Sequence, residues 1–460
     1  MKTTILIKNG TVVNAGGSQR ADVLIRDGKI IETGSRLELA SGEGMAINAE
    51  GRYLFPGGID PHVHMHLPTP AGYSSDDFLT GSKAALYGGT TTIIDFVTPK
   101  KGQLLSDAIA LRKTEAEGCL TDYSFHVSPV EWRDSMEQEI ADCMEKEGFR
   151  SFKVYMAYKD SIGLNDDVLL KVMKAVGKAG GMVTAHCELG DEIEILRNKF
   201  AAENKLAPVY HPLSRPPEAE ALAVKKAIEL AGEANCPLYI VHVSSKESLA
   251  HIAKAKNKGQ EVYAETCPQY LLLDDSKFEG DFEEVSKFVF SPPLRKKADN
   301  DALWEALKSG VIDTVGTDHC PFTQEQKNRG RNDFREIPNG AGGVEHRLNL
   351  LYTYGVLAEK ISIGQFVALT SANAAKIFGM FSGKGTIEKG ADADVVIWNP
   401  ETEKTISADT HCSNCDLDIY EGFKITGAPE IVIRNGIIVK ENNNLTDNLR
   451  PGRLLKTNPL

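Results

Sequence analysis

Between Tyr53 and Asp318, short runs rich in β-branched and aromatic residues alternate with segments whose apolar residues recur every three or four positions. The strand-like runs are Tyr53 to Asp60, Thr90 to Val97, Asp122 to Val127, Arg150 to Met156, Gly181 to His186, Pro237 to Val243, Gln260 to Thr266 and Val311 to Asp318. Val168 to Gly177, Glu218 to Ala231, Lys246 to Lys256 and Asp301 to Ser309 carry the helical spacing between them. Eight consecutive units of this kind favour closure over an open doubly wound sheet. The expected fold class is therefore α/β, a (β/α)8 TIM-like barrel with helices outside.

The flanks read differently. Thr4 to Val13 is interrupted at Asn9-Gly10 and Ala21 to Ile31 at Asp27-Gly28, both signatures of tight turns between strands. The same chemistry returns in Ala393 to Trp398 and in Glu430 to Val439 around Asn435-Gly436, so the two ends are expected to pair into one β-sandwich. The expected division is a sandwich from residues 1–55 and 385–445, a barrel from 56–384 and a polar C-terminal tail at 446–460. The polar segment Asn442 to Leu460, with Pro451-Gly452, is a candidate arm for packing on a neighbouring subunit.

A net charge of -12 argues against nucleic acid and anionic membrane surfaces as partners, because both would be repelled. Small neutral molecules suit it better. No stretch approaches the ~18 apolar residues of a membrane span, and the expected compartment is the cytoplasm. The 8 cysteines are irregularly scattered and read as reduced thiols. Cys412 and Cys415 have CxxC spacing beside His411, but no second pair follows to complete a zinc site.

Catalytic groups in barrels project from the C-terminal ends of the strands. The first run ends in Asp60-Pro61-His62-Val63-His64, where alternation places both imidazoles on one side. His186, His242 and Asp318 close the fifth, sixth and eighth runs, so four imidazoles and a carboxylate converge on one rim. Lys153, in the fourth run, would be a poorly solvated cation among metal ligands. Carboxylated by CO2 to a carbamate (N6-carboxylysine), it offers two anionic oxygens able to bridge two cations about 3.5 to 4 Å apart. Of the other histidines, His66 reads as a loop residue, His126 as a packed strand residue, and His319 should point away from its neighbour Asp318.

The segments PGGIDPHVH, KVYMAYK, TAHCE, IVHVSS, ETCPQYL, SPPLR, GTDHCPF and PNGAGG span most of the chain. In them it resembles the dihydropyrimidinase and hydantoinase branch of the cyclic amidohydrolases. The resemblance implies a sandwich built from both termini, a barrel between them, a carboxylated lysine and commonly a homotetramer, with a homodimer as the alternative. It makes His62, His64, Lys153 and Asp318 ligands of the more buried metal, and Lys153, His186 and His242 ligands of the second. Two Zn2+ per subunit lead, with Mn2+ or Co2+ suiting similar ligands. A hydroxide bridging the two ions is the nucleophile so implied, since a cation lowers the pKa of bound water to about 7. Asp318 would serve as base and then acid, Tyr158 would donate to the oxyanion, and the main chain at Ser291 and Asn339 would hold the cyclic imide edge. Thr69, Tyr155 and Ile162 would line the space around a ring substituent. The implied reaction is ring opening of a dihydropyrimidine or 5-substituted hydantoin to an N-carbamoyl amino acid.

Three other readings are weighed. Dihydroorotase-like chains carry an arginine two residues after the histidine pair to grip a substrate carboxylate; here that residue is His66, and Val97-Thr98-Pro99-Lys100 replaces their PNT-like segment. Allantoinase stays open, because its ureido substrate is neutral and close to hydantoin. Collapsin response mediator proteins resemble this family but act as scaffolds after losing metal ligands, whereas no ligand position is missing here.

Overall fold

The computed structural model describes residues 4–40, 42–447 and 449–457. Eight parallel strands form a nearly closed barrel in chain order: Gly58–Asp60, Thr90–Val97, Asp122–Val127, Ser151–Tyr155, Met182–His186, Leu238–Ile240, Val262–Thr266 and Thr314–Val315. The seam between first and last is stitched rather than laddered. Val63 bridges His319, the Asp318 amide donates to the His62 carbonyl (2.9 Å), and the His64 amide donates to the His319 carbonyl (2.8 Å). Below these, the fully buried Arg347 guanidinium donates to the carbonyls of Ile59 and Val315, each at 2.8 Å. One cationic fork thus binds both edge strands, which otherwise leave carbonyls unpaired.

The barrel interior is filled by Ile59, Ile94, Met182, Tyr239 and Val241, packed against Ile377 and Phe378 at the end of the short helix Asn373–Ile377. The outer helices bury their apolar stripes on the strands, as in Asp166–Lys178, where Leu169, Val172, Met173 and Val176 face inward. Asn165 starts that helix, its side chain accepting from the Val168 amide (2.9 Å).

The chain ends build a nine-stranded, mainly antiparallel sheet in which Tyr53–Pro56 joins the N-terminal strands to Val395–Thr405. The run Tyr53 to Asp60 is therefore not one barrel strand. It breaks at Gly57, whose amide donates to the Asp394 carbonyl (2.8 Å) and where a Cβ would lie 2.1 Å from Thr91 Oγ1. Asp27-Gly28 and Asn435-Gly436 are hairpin turns with positive φ at both residues. Asn9-Gly10 is instead a bulge within the continuous strand Thr4–Asn14. Gly10 lies against Leu54, and the Asn9 amide is taken by Asp22, which removes any need to turn. The sheet curls until its hairpins meet, Gly436 against Gly28, around a core containing Ile5, Val23, Ile25, Val395, Ile397 and Ile433.

The described part of the tail does not extend outward as an arm. Arg453 and Leu455 pair with Tyr123 on the chain's own barrel, and Thr457 donates to the Gly148 carbonyl (2.9 Å). The buried carboxylate of Asp122 captures the Arg453 guanidinium at 2.7 Å and holds the tail there. Asn448 and residues 458–460 of the expected tail lie outside the described residues. No described helix is long and apolar enough to cross a membrane.

Candidate metal centre and active site

The side chains singled out from the sequence meet at the C-terminal mouth. His62 and His64 follow the first strand, and their Nε2 atoms lie 3.2 and 3.1 Å from Asp318 Oδ1. Ligand atoms of these three residues lie within 4.8 Å of one another. Across the mouth, His186 Nδ1 approaches His242 Nε2 at 2.9 Å, and the His242 ring stands 5.4 Å from that of His62. The two histidine pairs thus share one floor.

His242 and Asp318 lie just past strands that end at Ile240 and Val315, with φ of 39° and 54°. Left-handed backbone at non-glycine residues is strained and concentrates at functional sites. Here it turns both side chains from the strand direction into the mouth. Tyr158, with φ 59°, is turned in the same way, and its ring lies 5.4 Å from His186.

Lys153 is 1% exposed, with Nζ 4.9 Å from the centre of the Phe96 ring and 5.2 Å from that of Tyr155. No carboxylate among the described residues reaches ion-pair distance of it. Burial pushes its amine down to about 8. The same cause holds His62 and His242 well below the ordinary imidazole range and lowers His186, where Glu188 opposes it. Neutral imidazoles present the lone pairs that metals require. For Asp318 burial pulls upward, yet His62, His64 and Lys153 outweigh it and keep the carboxyl below its usual value.

His62 Nε2 is a buried nitrogen facing Asp318 without a hydrogen-bond partner. A cation there would satisfy it, so the donor set of imidazoles, carboxylate and buried amine suits a divalent metal.

Several supporting residues escaped the sequence reading. Glu265 holds His62 Nδ1 at 2.7 Å and accepts from the His242 amide (3.1 Å) and the Tyr239 hydroxyl (2.8 Å). Glu188 holds His186 Nε2 at 2.8 Å and is itself clamped by Arg215 at 2.6 Å. Asp60 accepts from the His62 amide and from Thr317. Such partners fix ring orientation in metal sites. The available signal was period two, since Asp60 and Glu188 sit two residues from His62 and His186.

Ser291 adjoins the Tyr158 hydroxyl, which burial shifts upward. Asn339 is half-buried, and the next amide, Gly340, donates to the carbonyl of Val289, two residues before Ser291 (3.1 Å). Buried Lys327 ties both loops, donating to the carbonyls of Val289 (2.9 Å), Pro338 (2.8 Å) and Gly340 (2.9 Å). Thr69 turns into its own hairpin, its hydroxyl donating to the Gly72 carbonyl (2.7 Å), while Tyr155 is buried and Ile162 half-buried. His66 stacks on Tyr73 at 3.9 Å; His126 is packed between Ser151 and the Pro61 carbonyl; His319 turns to Asp76 at 3.0 Å.

Comparison with known proteins gives a consistent outcome. The model of the amidohydrolase family matches residues 53–439. The chain is 44% identical over 454 residues to the D-hydantoinase of Ralstonia pickettii, covering 98% of each. It is 45% identical over 438 residues to the D-hydantoinase of Geobacillus stearothermophilus, covering 95% of this chain and 93% of that one. The crystal structure of the dihydropyrimidinase from Brevibacillus agri NCHU1002 superposes with a TM-score of 0.97 at 43% identity, covering 100% of this chain and 99% of the other.

Proposed function

The chain belongs to the amidohydrolase family, and from that premise we propose that it hydrolyses a cyclic amide, opening a dihydropyrimidine or 5-substituted hydantoin ring to an N-carbamoyl amino acid. The observation that carries this reading is the convergence of His62, His64, His186, His242, Lys153 and Asp318 on one mouth, in a chain whose full-length relatives are hydantoinases and a dihydropyrimidinase.

His62, His64 and Asp318 would hold one divalent ion, His186 and His242 the other, with Lys153 as a carbamate shared between them. The set of nitrogen and oxygen donors suits zinc first, then manganese or cobalt. When bound, the ions supply positive charge that acidifies water and polarises the scissile carbonyl. Asp318 stands beside both imidazoles of the first pair, where its ionised carboxylate is ready to accept a proton. It returns that proton to the ring nitrogen as the amide leaves, so one group acts as base and then acid. Tyr158 keeps its proton at neutral pH and donates to the carbonyl oxygen as negative charge develops. The main chain at Ser291 and Asn339 holds the imide edge, and Thr69, Tyr155 and Ile162 border the ring substituent. The apolar floor at Phe96 limits water around the reacting atoms.

The reading extends to two units, a sandwich from residues 1–55 and 385–445 and a barrel from 56–384, in a cytoplasmic homotetramer. Light scattering on purified protein measures the assembly. The decisive assay is a panel of dihydrouracil, dihydrothymine, hydantoin, phenylhydantoin, allantoin and dihydroorotate with defined Zn2+, Mn2+ or Co2+. Turnover of the first four, with little of the last two, is the expected pattern. Preference for allantoin or dihydroorotate would overturn the substrate class.

A further inference from the structure

Ring opening leaves one feature of the sequence unused, the His411-Cys412-Ser413-Asn414-Cys415 segment. Its cysteines do not complete a site; Cys415 Sγ contacts the Phe322 carbonyl at 3.4 Å. His411 instead meets Asp418 from the same segment and His346 from the turn that follows the PNGAGG loop. His346 Nε2 lies 2.9 Å and His411 Nδ1 3.3 Å from Asp418 Oδ2, and the three donor atoms all fall within 4.8 Å of one another.

The atoms that face away from this centre are anchored. His411 Nε2 is engaged by the Cys415 carbonyl at 2.7 Å, which fixes the ring with Nδ1 aimed at Asp418. Asp418 Oδ1 accepts from the Tyr420 amide at 2.7 Å. Outer bonds of this kind orient ligands before a metal arrives. The residues line a small cleft with Glu345 and His319, roomy enough for about one water-sized particle. Without a cation, burial is outweighed by Asp418, which raises both imidazoles, His411 to about 9, so a divalent ion would enter by displacing their protons, with Asp418 and the adjacent Glu345 balancing its charge.

Among the described residues, two other groups show comparable donor proximity. One is His62, His64 and Asp318 at the barrel mouth. The other, Asp122, Asp392 and Asp394, already holds the cations of Lys384 and Arg453. Asp418 differs from that group, since among the described residues its only ion-pair partners are the two imidazoles.

We infer that His346, His411 and Asp418 form a separate divalent-metal site, of the class that takes zinc, cobalt or nickel, bracing the 411–418 segment against the loop that ends at His346. Two imidazoles and a carboxylate, with a position left for water, match the ligand preferences of these ions. The inference goes beyond the ring-opening reading and stands without it.

The test is metal content. Metal-stripped full-length chain is equilibrated with micromolar Zn2+ in bicarbonate buffer, and His346→Gln and His411→Gln are treated alike. Each variant is expected to hold one Zn2+ per chain fewer than the parent, whatever number the barrel mouth retains. Equal zinc in parent and variants overturns the inference. A second measurement avoids variants at the site itself. A chain carrying His62→Ala, His64→Ala and Lys153→Ala should still bind one Co2+ with the visible absorption of a four-coordinate nitrogen and oxygen site. A chain that stays colourless on Co2+ addition means that Asp418 is simply shared by two protonated imidazoles.

Discussion

Lys153 carries the strongest demand at the scale of single residues, because a buried amine with no carboxylate partner is costly unless its chemistry changes. Lys153→Ala should lose both metals and turnover together, and added short-chain carboxylic acid should restore part of each; metal analysis beside the hydantoin assay checks this. Full activity and metal in that variant would remove the carbamate. Tyr158→Phe should keep its metal while kcat drops about 100- to 1,000-fold, the scale of losing one oxyanion donor. Glu265→Gln changes the acceptor on His62 Nδ1, and zinc affinity should fall about 10- to 100-fold with the fold intact, read by competition with a chelator. The four histidines and Asp318 that meet at the mouth were legible in the sequence because each lies at or just past the end of a strand-like run, where side chains reach the barrel mouth. Glu265 and Arg215 were not, since their roles depend on which nitrogen or oxygen they touch, and linear spacing does not encode that.

Among elements, alternation of strand and helix revealed the barrel but overstated its strands. The run Val311 to Asp318 shrinks to Thr314–Val315, and Pro237 to Val243 to Leu238–Ile240. The residues after each short strand leave the ladder, and positive φ at His242 and Asp318 turns those side chains inward. Asn9-Gly10 misleads for a related reason: a glycine required by close packing against Leu54 looks in sequence like one required by a turn. The loops bearing Ser291 and Asn339 depend on Lys327, whose buried ammonium joins three carbonyls. Burial pushes its amine down to about 7, and the three carbonyls it donates to favour the charged form. Lys327→Met leaves those acceptors unpaired. It should cost at least about 1–3 kcal/mol in denaturant unfolding and raise KM more than it lowers kcat, with metal content unchanged.

Across the whole molecule, barrel, terminal sheet and tail are fastened at Asp122, the first residue of the third barrel strand. Its carboxylate takes Lys384 at 2.6 Å, Asn435 at 2.9 Å and Arg453 at 2.7 Å. Burial works against ionisation of Asp122 and Asp392, but Lys384 and Arg453 prevail and hold both below the ordinary carboxylate range. Their contribution is complete above the unfolded-chain value of about 4 and drains away as the pH falls through their lower folded-state values. Asp122→Asn should therefore cost about 3–5 kcal/mol at neutral pH and flatten the loss of stability below pH ~4, as measured by urea unfolding across that range. This fastening sits at the end of the barrel opposite the mouth. The hairpin of Pro68–Thr69 and Gly72–Tyr73, by contrast, is held mainly by its own bonds and by Gln326. If, as proposed, Thr69 borders the ring substituent, this hairpin lies far from the fastening, so grafting it from another family member should retune which rings are accepted while the melting temperature stays where it was.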